Sequence, residues 1–359
     1  MKHITVLKGD GIGPEVTNQA LKVLESIAHV YNHEFIFDNK LIGAAAIDAT
    51  GNPLPEETLK SCLSSDAVIL GAIGDPKYDN DPKLLVRPEQ GLLALRKALD
   101  LYANVRPIKI FKDLKHLSVL KPHILDDVDM VIYRELTGGI YFGEKNRTKD
   151  SASDLCIYSN YEIKRIARLA FKEAQKRRKK LCLIDKANVL ESSRLWRDNI
   201  IKMAEEYPEV TVDFLFIDNA AMQMILNPLQ FDVIVTSNMF GDIISDLASV
   251  LGGSLGMLPS SSAGYEYRLY EPVHGSYPQA AGKNIANPFA AILSIEMMLR
   301  DFGLIAEADN VMGAVEKCIN DGFVTSDISK SLAMQCSEVG HEVVKNIYSE
   351  KNINYGVII

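Results

Sequence analysis

The fold is decided by residues 231–249, which read Phe231-Asp232-Val233-Ile234-Val235-Thr236-Ser237-Asn238-Met239-Phe240-Gly241-Asp242-Ile243-Ile244-Ser245-Asp246-Leu247-Ala248-Ser249. The first five residues form a strand-like run, and the residues that follow have helical periodicity. Because Asp242 and Asp246 are four residues apart, a helix places their carboxylates on one face, roughly 6 Å apart at Cβ. The stretch therefore predicts a strand followed by a helix with two acids in its first turns.

Two interpretations of this acid pair are open. Ligands of α/β proteins bind beyond the carboxyl ends of strands, and two carboxylates there suit a hard cation such as Mg²⁺ or Mn²⁺. Alternatively, both acids are structural and are stabilised near the helix N-terminus by the helix dipole. The spacing alone is compatible with both.

Strand and helix patterns alternate along the rest of the chain. Strands are predicted at residues 3–7, 67–70, 105–111, 130–135, 181–184, 212–217 and 231–235, and helices at 15–29, 55–64, 161–176 and 192–206. Such alternation is typical of α/β architecture. The chain is long enough for two domains or one large α/β unit.

The first strand is followed by a glycine-rich turn, Gly9-Asp10-Gly11-Ile12-Gly13-Pro14-Glu15. In the dinucleotide-binding fingerprint G-x-G-x-x-G the third glycine would fall at position 14, which is Pro14. Proline suits the first position of the helix that follows. The turn therefore indicates a strand-to-helix connection and argues against a Rossmann fingerprint.

Composition and charge exclude several classes of protein. The formal net charge of −8 argues against a nucleic-acid-binding surface. Five scattered cysteines without CxxC spacing favour free thiols in a reducing compartment. The chain shows neither a signal-peptide pattern nor an apolar run long enough to cross a membrane. We therefore predict a cytoplasmic protein with no nucleic-acid or membrane partner.

Three arginines beside predicted strand or helix ends, Arg96, Arg106 and Arg134, suit a polycarboxylate ligand, because guanidinium binds carboxylates in a bidentate manner. Singly, each would be read as a surface or ion-paired arginine. Tyr141 lies in a glycine-rich turn, where its phenol suits a general acid or simple packing.

Further candidates follow other strands. Lys186 comes directly after one and suits either a general base or an exposed lysine, and Asp218 is a third candidate metal ligand at a strand end. Residues 271–288 form a long stretch of small residues whose backbone can approach a nucleotide closely. An unliganded surface loop is the alternative.

Together these motifs resemble one family along nearly the whole chain, the metal-dependent β-decarboxylating dehydrogenases that include isocitrate and isopropylmalate dehydrogenases. The residues that carry the resemblance are Gly9–Glu15, Leu92–Arg96, Arg106, Arg134–Glu144, Asp185–Leu190, Asp218, Asn238–Asp246 and Glu271–Pro288. So many motifs in one order make the resemblance very specific.

The resemblance implies two α/β domains that share a continuous mixed sheet flanked by helices, and not a Rossmann fold. Residues 1–101 together with 255–359 would form the first domain, with both termini and the cofactor loop. Residues 102–254 would form the second, with the dimer contacts and the metal-binding aspartates. The protein would be a homodimer whose active cleft lies between the domains, with Lys186 and Asp218 supplied by the partner subunit.

The resemblance also assigns roles to the candidates. Tyr141 and Lys186 would be catalytic, and Asp218, Asp242 and Asp246 would hold one Mg²⁺ or Mn²⁺ ion. Substrate binding would fall to Arg96, Arg106, Arg134 and Asp218. The dinucleotide would lie along His274, Gly275, Ser276, Gln279, Ala280, Ala281, Gly282, Asn284, Ile285 and Asn287.

The substrate of such an enzyme is a malate whose third substituent contacts a pocket, predicted here to be lined by Glu89, Leu92, Leu93 and Val189. Isocitrate dehydrogenases place a serine and an asparagine near this part of the helix to hold an extra carboxylate. Burying a carboxylate beside leucines would cost several kcal/mol, whereas an isopropyl group gains about 2 kcal/mol. The pocket thus favours the isopropyl-substituted malate as the substrate of oxidative decarboxylation.

The residues at positions 279 and 280 bear on the choice between NAD and NADP. Relatives that use NAD often carry an aspartate where this chain has Gln279, and relatives that use NADP carry a lysine and a tyrosine at positions 279 and 280. Gln279 can still hydrogen-bond a ribose hydroxyl, and neither Gln279 nor Ala280 offers positive charge to a 2′-phosphate. We therefore predict NAD.

Other functions stay open at this stage. Isocitrate, homoisocitrate or tartrate dehydrogenase activity would need only a few changes in the pocket. A non-catalytic regulatory subunit is disfavoured because Tyr141, Lys186 and the three aspartates are all present. A metal-dependent phosphotransferase lacks its phosphate-binding motif, since no GxxxxGK[ST] occurs.

Overall fold

The computed structural model describes residues 1–79 and 85–350. Helices flank a large mixed β-sheet, so the predicted α/β class is confirmed. The strands are β1 (Lys2–Gly9), β2 (Phe35–Lys40), β3 (Ala67–Ala72), β4 (Ala103–Lys109), β5 (Asp129–Glu135), β6 (Lys145–Arg147), β7 (Ala152–Asp154), β8 (Lys180–Asp185), β9 (Thr211–Phe216), β10 (Val233–Thr236), β11 (Pro259–Ala263) and β12 (Arg268–Pro272). The helices are α1 (Gly13–Tyr31), α2 (Gly43–Thr50), α3 (Glu56–Ser64), α4 (Pro76–Asp79), α5 (Pro88–Ala98), α6 (Asn160–Lys176), α7 (Glu191–Ala204), α8 (Ile217–Leu226), α9 (Asn238–Ser249), α10 (Phe289–Asp301), α11 (Ile305–Asn320) and α12 (Cys336–Glu350).

The chain divides into two compact units, Met1–Asp100 with Ser254–Ile359, and Leu101–Gly253. The predicted division, 1–101 with 255–359 and 102–254, sets each boundary one residue later. Residues 80–84 and 351–359 of the first predicted domain lie outside the described residues. The cofactor role of the first domain and the dimer and metal roles of the second remain predictions.

Within the first unit the strand order is β2-β1-β3-β12-β11. β1 pairs in parallel with β2 and β3, and β3 in parallel with β12, whereas β11 runs antiparallel to β12. Within the second unit the order is β4-β5-β10-β8-β9, and only β4 is antiparallel to its neighbour β5. β6 and β7 form a separate exposed hairpin.

The parallel strands of the second unit align their carboxyl ends. Thr236 at the end of β10 pairs with Arg134 on β5 and with Ile184 on β8, and Asp185 pairs with Phe216 on β9. The segments that follow these strands therefore begin at one edge of the sheet, where open α/β sheets bind ligands. This register places the candidate acids, lysine and arginine of the second unit at a common edge.

Residues 259–263, for which no strand was predicted, form β11, and all five are buried. Their serines lack the apolar or β-branched character by which strands are recognised. The hydroxyl of Ser260 donates to the backbone carbonyl of Glu271 on β12 at 3.0 Å, so burial leaves it paired. The strand therefore forms through pairing with β12, which lies several residues away.

Within residues 1–79 and 85–350, no helix is both long and apolar enough to cross a bilayer.

Candidate active site

The acid pair lies on α9, with Asp242 in the second turn and Asp246 in the third, slightly later than the first turns that the sequence predicts. β10 is buried throughout and ends at Thr236, and α9 begins two residues later. The side chain of Asp242 is 37% exposed and that of Asp246 is 69% exposed. Both carboxylates are therefore accessible to a ligand, unlike acids that only stabilise a buried helix end.

Arg134, at the end of β5, lies against the start of α9. Its side chain is largely buried, and its Nη1 donates to Asp242 Oδ1 at 2.5 Å. A Cβ on Gly241 would lie 2.5 Å from Arg134 Cγ and 2.7 Å from its Cβ. Glycine at position 241 thus lets the arginine stem pass directly over the helix backbone.

Arg106, on β4, contacts the next turn of the same helix. Its Nη1 donates to Ser245 Oγ at 2.8 Å and to Asp246 Oδ1 at 3.0 Å. Its Nε donates to Asn104 Oδ1 at 2.7 Å, which fixes the plane of the guanidinium. Each aspartate of α9 therefore has its own arginine, supplied by one of two neighbouring antiparallel strands.

Tyr141 reaches the same cluster from the turn after β5. It lies on the short 3₁₀ turn Gly139–Tyr141, and its hydroxyl donates to Asp242 Oδ2 at 3.1 Å. Partial burial and this carboxylate raise the pKa of the Tyr141 phenol. The phenol is therefore held protonated through the neutral range, as a proton donor must be.

The turn that carries Tyr141 is held by a buried carboxylate. Glu135 accepts from the backbone N–H of Thr137 at 3.0 Å and of Gly138 at 2.8 Å. Burial raises the pKa of the Glu135 carboxyl, and its hydrogen bonds to the turn oppose that rise. Arg165 lies 3.6 Å from Glu135 and compensates for its charge.

Lys186 and Asp218 form a second cluster at the same edge of the sheet. Lys186 Nζ donates to Asp218 Oδ1 at 2.5 Å, and the hydrogen bond lowers the pKa of the Asp218 carboxyl. Asp218 was predicted at the end of a strand over residues 212–217, but β9 ends at Phe216, and Asp218 lies two residues later in the first turn of α8. The Asp218 carboxylate is therefore ionised at neutral pH, and it becomes protonated only at a lower pH than an ordinary aspartate does.

Among the described residues, no group of three or more His, Cys, Asp or Glu side chains is arranged to hold a metal ion. Within one chain, Asp242 and Asp246 contact arginines and a tyrosine, and Asp218 contacts Lys186. The oxygen donors themselves suit Mg²⁺ or Mn²⁺, and two of the three belong to one helix face. The three-aspartate site remains a prediction that needs a second chain.

In the first unit, Arg96 contacts a residue that the sequence reasoning had placed only at the start of a loop. Its Nη2 donates to Glu271 Oε1 at 2.6 Å, and Glu271 lies on β12. Leu92 is half-buried and Leu93 exposed on the same helix, α5, so an apolar surface precedes the arginine. Glu89 also lies exposed on α5, and Val189 of the second unit is exposed.

The predicted cofactor loop combines exposed and anchored residues. Gly275, Gln279, Ala281, Gly282 and Ile285 are exposed, whereas Ser276, Ala280 and Asn287 are buried. A Cβ on Gly275 or Gly282 would meet no atom within 4 Å, so both leave open space beside the loop. The exposed members are thus available to a ligand, and the buried ones hold the loop in place.

Contacts of Ser276, Asn284 and Asn287 anchor this loop. The carbonyl of Ser276 accepts from the N–H of Ile12 at 2.8 Å, which brings the loop onto the glycine-rich turn before α1. The side chain of Asn284 bonds Gln335 and Ser337, and Asn287 accepts from the N–H of Phe289 at the start of α10. His274 Nδ1 donates to the carbonyl of Gly275, and burial lowers the pKa of the imidazole.

Sequence reasoning missed three residues of these clusters. Asn238 binds the guanidinium of Arg134, Ser245 accepts from Arg106, and Glu271 binds Arg96. Asn238 and Ser245 lie within the stretch that carries the acid pair, four and one residues from the nearer aspartate. A polar residue at the first position of a ligand-binding helix is the signal that could have indicated Asn238.

The chain matches the model of the isocitrate/isopropylmalate dehydrogenase family over residues 3–343, and it belongs to that family. It is 52% identical to the 3-isopropylmalate dehydrogenase of Bacillus subtilis (strain 168), over 98% of this chain and 99% of the relative. It is 55% identical to the 3-isopropylmalate dehydrogenase of Geobacillus kaustophilus (strain HTA426), over 92% of this chain and 90% of the relative.

Solved structures agree with this assignment. The isocitrate dehydrogenase from Methylococcus capsulatus is similar with a TM-score of 0.86 and 35% identity, over 97% of this chain and 99% of that chain. A β-decarboxylating dehydrogenase from Thermococcus kodakarensis is similar with a TM-score of 0.84 and 33% identity, over 100% of this chain and 99% of that chain. The fold is therefore that of the decarboxylating dehydrogenases.

Proposed function

We propose that the protein is an NAD-dependent 3-isopropylmalate dehydrogenase, which oxidises and decarboxylates 3-isopropylmalate to 2-oxoisocaproate in leucine biosynthesis. The convergence of Arg106, Arg134 and Tyr141 on the two aspartates of α9 carries the proposal. It combines carboxylate binding, oxygen donors for a cation and a protonated phenol at one place. The full-length relatives named 3-isopropylmalate dehydrogenase support the choice of substrate.

The residues of the chain divide the reaction between them. Arg96, Arg106 and Arg134 bind the carboxylates of the malate. Lys186 takes the proton of the C2 hydroxyl as hydride leaves C2 for the nicotinamide of NAD. The resulting β-keto acid loses its C3 carboxylate as CO₂, and Tyr141 then delivers a proton to C3.

The predicted cation ligands are Asp218, Asp242 and Asp246. When bound, a divalent cation supplies a Lewis acid that favours ionisation of the C2 hydroxyl and stabilises the enolate charge on its oxygen. The two exposed carboxylates of α9, which share a helix face, are the observation that fits this group.

Replacing Tyr141 with phenylalanine is expected to slow decarboxylation and reprotonation by about 10²-fold or more while hydride transfer changes less. The substitution removes only the hydroxyl that contacts Asp242. Two measurements separate the steps. Reduction and decarboxylation of the synthetic β-keto acid intermediate report the later steps, and single-turnover NADH formation reports hydride transfer. Keto-acid decarboxylation at the wild-type rate would remove Tyr141 from this role. Tyr161→Phe, at an exposed tyrosine of α6, is the matched control.

We expect kcat/KM with NAD to exceed that with NADP by at least about tenfold, because a 2′-phosphate needs a cationic partner. Gln279 is exposed on the cofactor loop and Ala280 is buried, and neither is charged. Steady-state kinetics with both dinucleotides measure the ratio, and Gln279→Asp should increase it further. A kcat/KM for NADP that equals or exceeds that for NAD would contradict the preference.

We also propose a homodimer, on the surface that α8 presents. Asp218, Met222 and Leu226 follow one another at four-residue intervals and share a face, and both apolar side chains are exposed. Ile243 on the packed neighbour α9 is exposed as well. A second copy that covers this face would bring Asp218 and Lys186 against the partner subunit.

Mixing two inactive variants tests the shared site. At an Mn²⁺ concentration too low to rescue Asp242→Asn, Lys186→Met and Asp242→Asn each disable every site in their own homodimers, whereas a hybrid dimer retains one site with both native residues. Co-expression with two affinity tags should restore about a quarter of wild-type activity, since half the dimers are hybrid and half their sites intact. Inactive hybrids would place Lys186 and Asp242 of one site in the same chain.

The proposed substrate is tested by NADH absorbance with NAD and Mn²⁺, comparing 3-isopropylmalate with isocitrate, homoisocitrate and tartrate, with and without chelator. Chelator-sensitive turnover that favours 3-isopropylmalate is expected. Preference for isocitrate would overturn the assignment of Leu92 and Leu93 to an apolar pocket. No turnover with any malate would favour a regulatory subunit.

A further inference from the structure

Asn238, the first residue of α9, is 1% exposed and contacts three separate elements of the second unit. Towards β5, it faces the guanidinium of Arg134. Arg134 Nε donates to the carbonyl oxygen of Asn238 at 3.1 Å, and Nη2 donates to its Oδ1 at 3.0 Å. Nη1 of the same guanidinium donates to Asp242. The orientation of Arg134 is thus set by Asn238 on one edge and by Asp242 on the other.

Towards the turn that carries Tyr141, Asn238 acts as a donor. Its Nδ2 donates to the carbonyl of Gly138 at 3.3 Å, one residue before the 3₁₀ turn. The same amide group therefore fixes the substrate-binding arginine through its oxygen and the turn of the proton donor through its nitrogen. Asp242 also contacts both, but it reaches the turn through the phenol of Tyr141, whereas Asn238 contacts the backbone that leads into the turn.

Tyr158 contacts the backbone of Asn238 and the turn that carries Tyr141. Its hydroxyl accepts from the backbone N–H of Asn238 at 2.9 Å, and the residue is buried. A Cβ on Gly139 would lie 2.4 Å from that hydroxyl, so the turn rests directly on the tyrosine ring. Tyr158 also packs edge-on against the buried Trp196, at a centroid distance of 5.5 Å. Asn238 is therefore supported by two packed, buried aromatic side chains.

We propose that Asn238, supported by Tyr158, is a positioning residue that aligns the Arg134 guanidinium with the turn carrying Tyr141. It touches neither reacting atoms nor substrate and acts through the residues that do. The inference rests on the proposed function in so far as Arg134 binds a substrate carboxylate. A guanidinium held by Asn238 on one edge and by Asp242 on the other has a fixed plane, which lowers the entropy lost when substrate binds.

Two variants separate the functions of the amide. Asn238→Asp keeps the oxygen that accepts from Arg134 and replaces the donor to Gly138, whereas Asn238→Ala removes both. We expect Asn238→Ala to raise the KM for 3-isopropylmalate by about 10- to 100-fold, because small misplacements of a positioning contact have effects of this size. Asn238→Asp should keep KM within about threefold and slow keto-acid processing instead. An Asp variant whose KM rises as much as that of the Ala variant would overturn the proposal.

A matched control and a coupling measurement exclude a merely structural role. Asn199 is another buried asparagine of this unit, whose amide bonds Asn160 and the carbonyl of Leu195. Asn199→Ala should lower thermal stability and leave the KM for substrate unchanged. In a double-mutant cycle on KM, Asn238→Ala should add little once Arg134 is lysine. Additive effects would overturn the proposal.

Two further measurements distinguish failure of the proposed function from failure of the positioning role of Asn238. Wild-type protein is first assayed with 3-isopropylmalate, and absence of turnover there would reject the substrate. The same Asn238–Arg134 cycle is then measured on urea unfolding, which requires no substrate. Coupling between the two substitutions supports the positioning contact whatever the substrate, and additivity in unfolding overturns it.

Discussion

Replacing Lys186 with methionine should reduce oxidation of 3-isopropylmalate by about 10³-fold, because general-base catalysis contributes 10²–10⁴. Methionine keeps an unbranched stem as far as the Cε position and removes the amine that contacts Asp218 at 2.5 Å. Lys186 lies at the end of β8, next to the carboxyl ends of the strands that position the α9 aspartates. Its loss should therefore affect the chemical step and leave the sheet intact.

The measurement is the single-turnover rate of NADH formation at saturating substrate. Lys172→Met, at an exposed lysine of α6 in the same unit, is the matched control and should retain wild-type rates. The kinetic isotope effect of deuterium at C2 should be smaller for Lys186→Met than for the wild type. In the variant, removal of the hydroxyl proton limits the rate, and that step does not break the bond between C2 and hydrogen. A rate within tenfold of the wild type would exclude Lys186 as the base.

Replacing Asp242 with asparagine is the second substitution with a large expected effect. It removes one of two accessible carboxylates from a helix face and leaves the shape of the side chain unchanged. The affinity for Mn²⁺ in the presence of substrate should fall by about 10²-fold or more, because hard cations depend strongly on ligand charge. Arg134 and Tyr141 also lose their anionic partner, so substrate KM should rise with it.

Titration of Mn²⁺ by electron paramagnetic resonance, with and without 3-isopropylmalate, measures this effect directly. Asp198→Asn, at an exposed acid of α7, is the matched control and should leave Mn²⁺ binding unchanged. Added Mn²⁺ should restore part of the activity of Asp242→Asn, as expected when affinity is lost rather than folding. If the variant binds Mn²⁺ with wild-type affinity, Asp242 is not a cation ligand and the acid pair has only a structural role.

The sequence was most informative where function follows from local spacing. Four-residue separation put Asp242 and Asp246 on one helix face, and a strand end put Lys186 at the edge of the sheet. Both features depend on period and position within a few residues. They are therefore available without knowledge of the rest of the fold.

Contacts between distant residues were not available in this way. Arg96 and Glu271 are 175 positions apart, and their contact at 2.6 Å depends on where α5 lies against β12. Strand β11 was missed because its stability comes from pairing with β12 rather than from its serines. The role of Asn238 was missed because it is defined by three elements that only the folded unit brings together.

The ion pairs of α9 have a consequence for the order in which ligands accumulate. Arg106, Arg134, Asp242 and Asp246 together carry no net charge. A dicarboxylate adds two negative charges and a divalent cation two positive ones, so only the arrival of both preserves the neutrality of this cluster. Each ligand should then increase the affinity for the other by the same factor, as thermodynamic reciprocity requires. The protein would respond to the joint supply of metal and malate, with either one alone leaving it largely unsaturated.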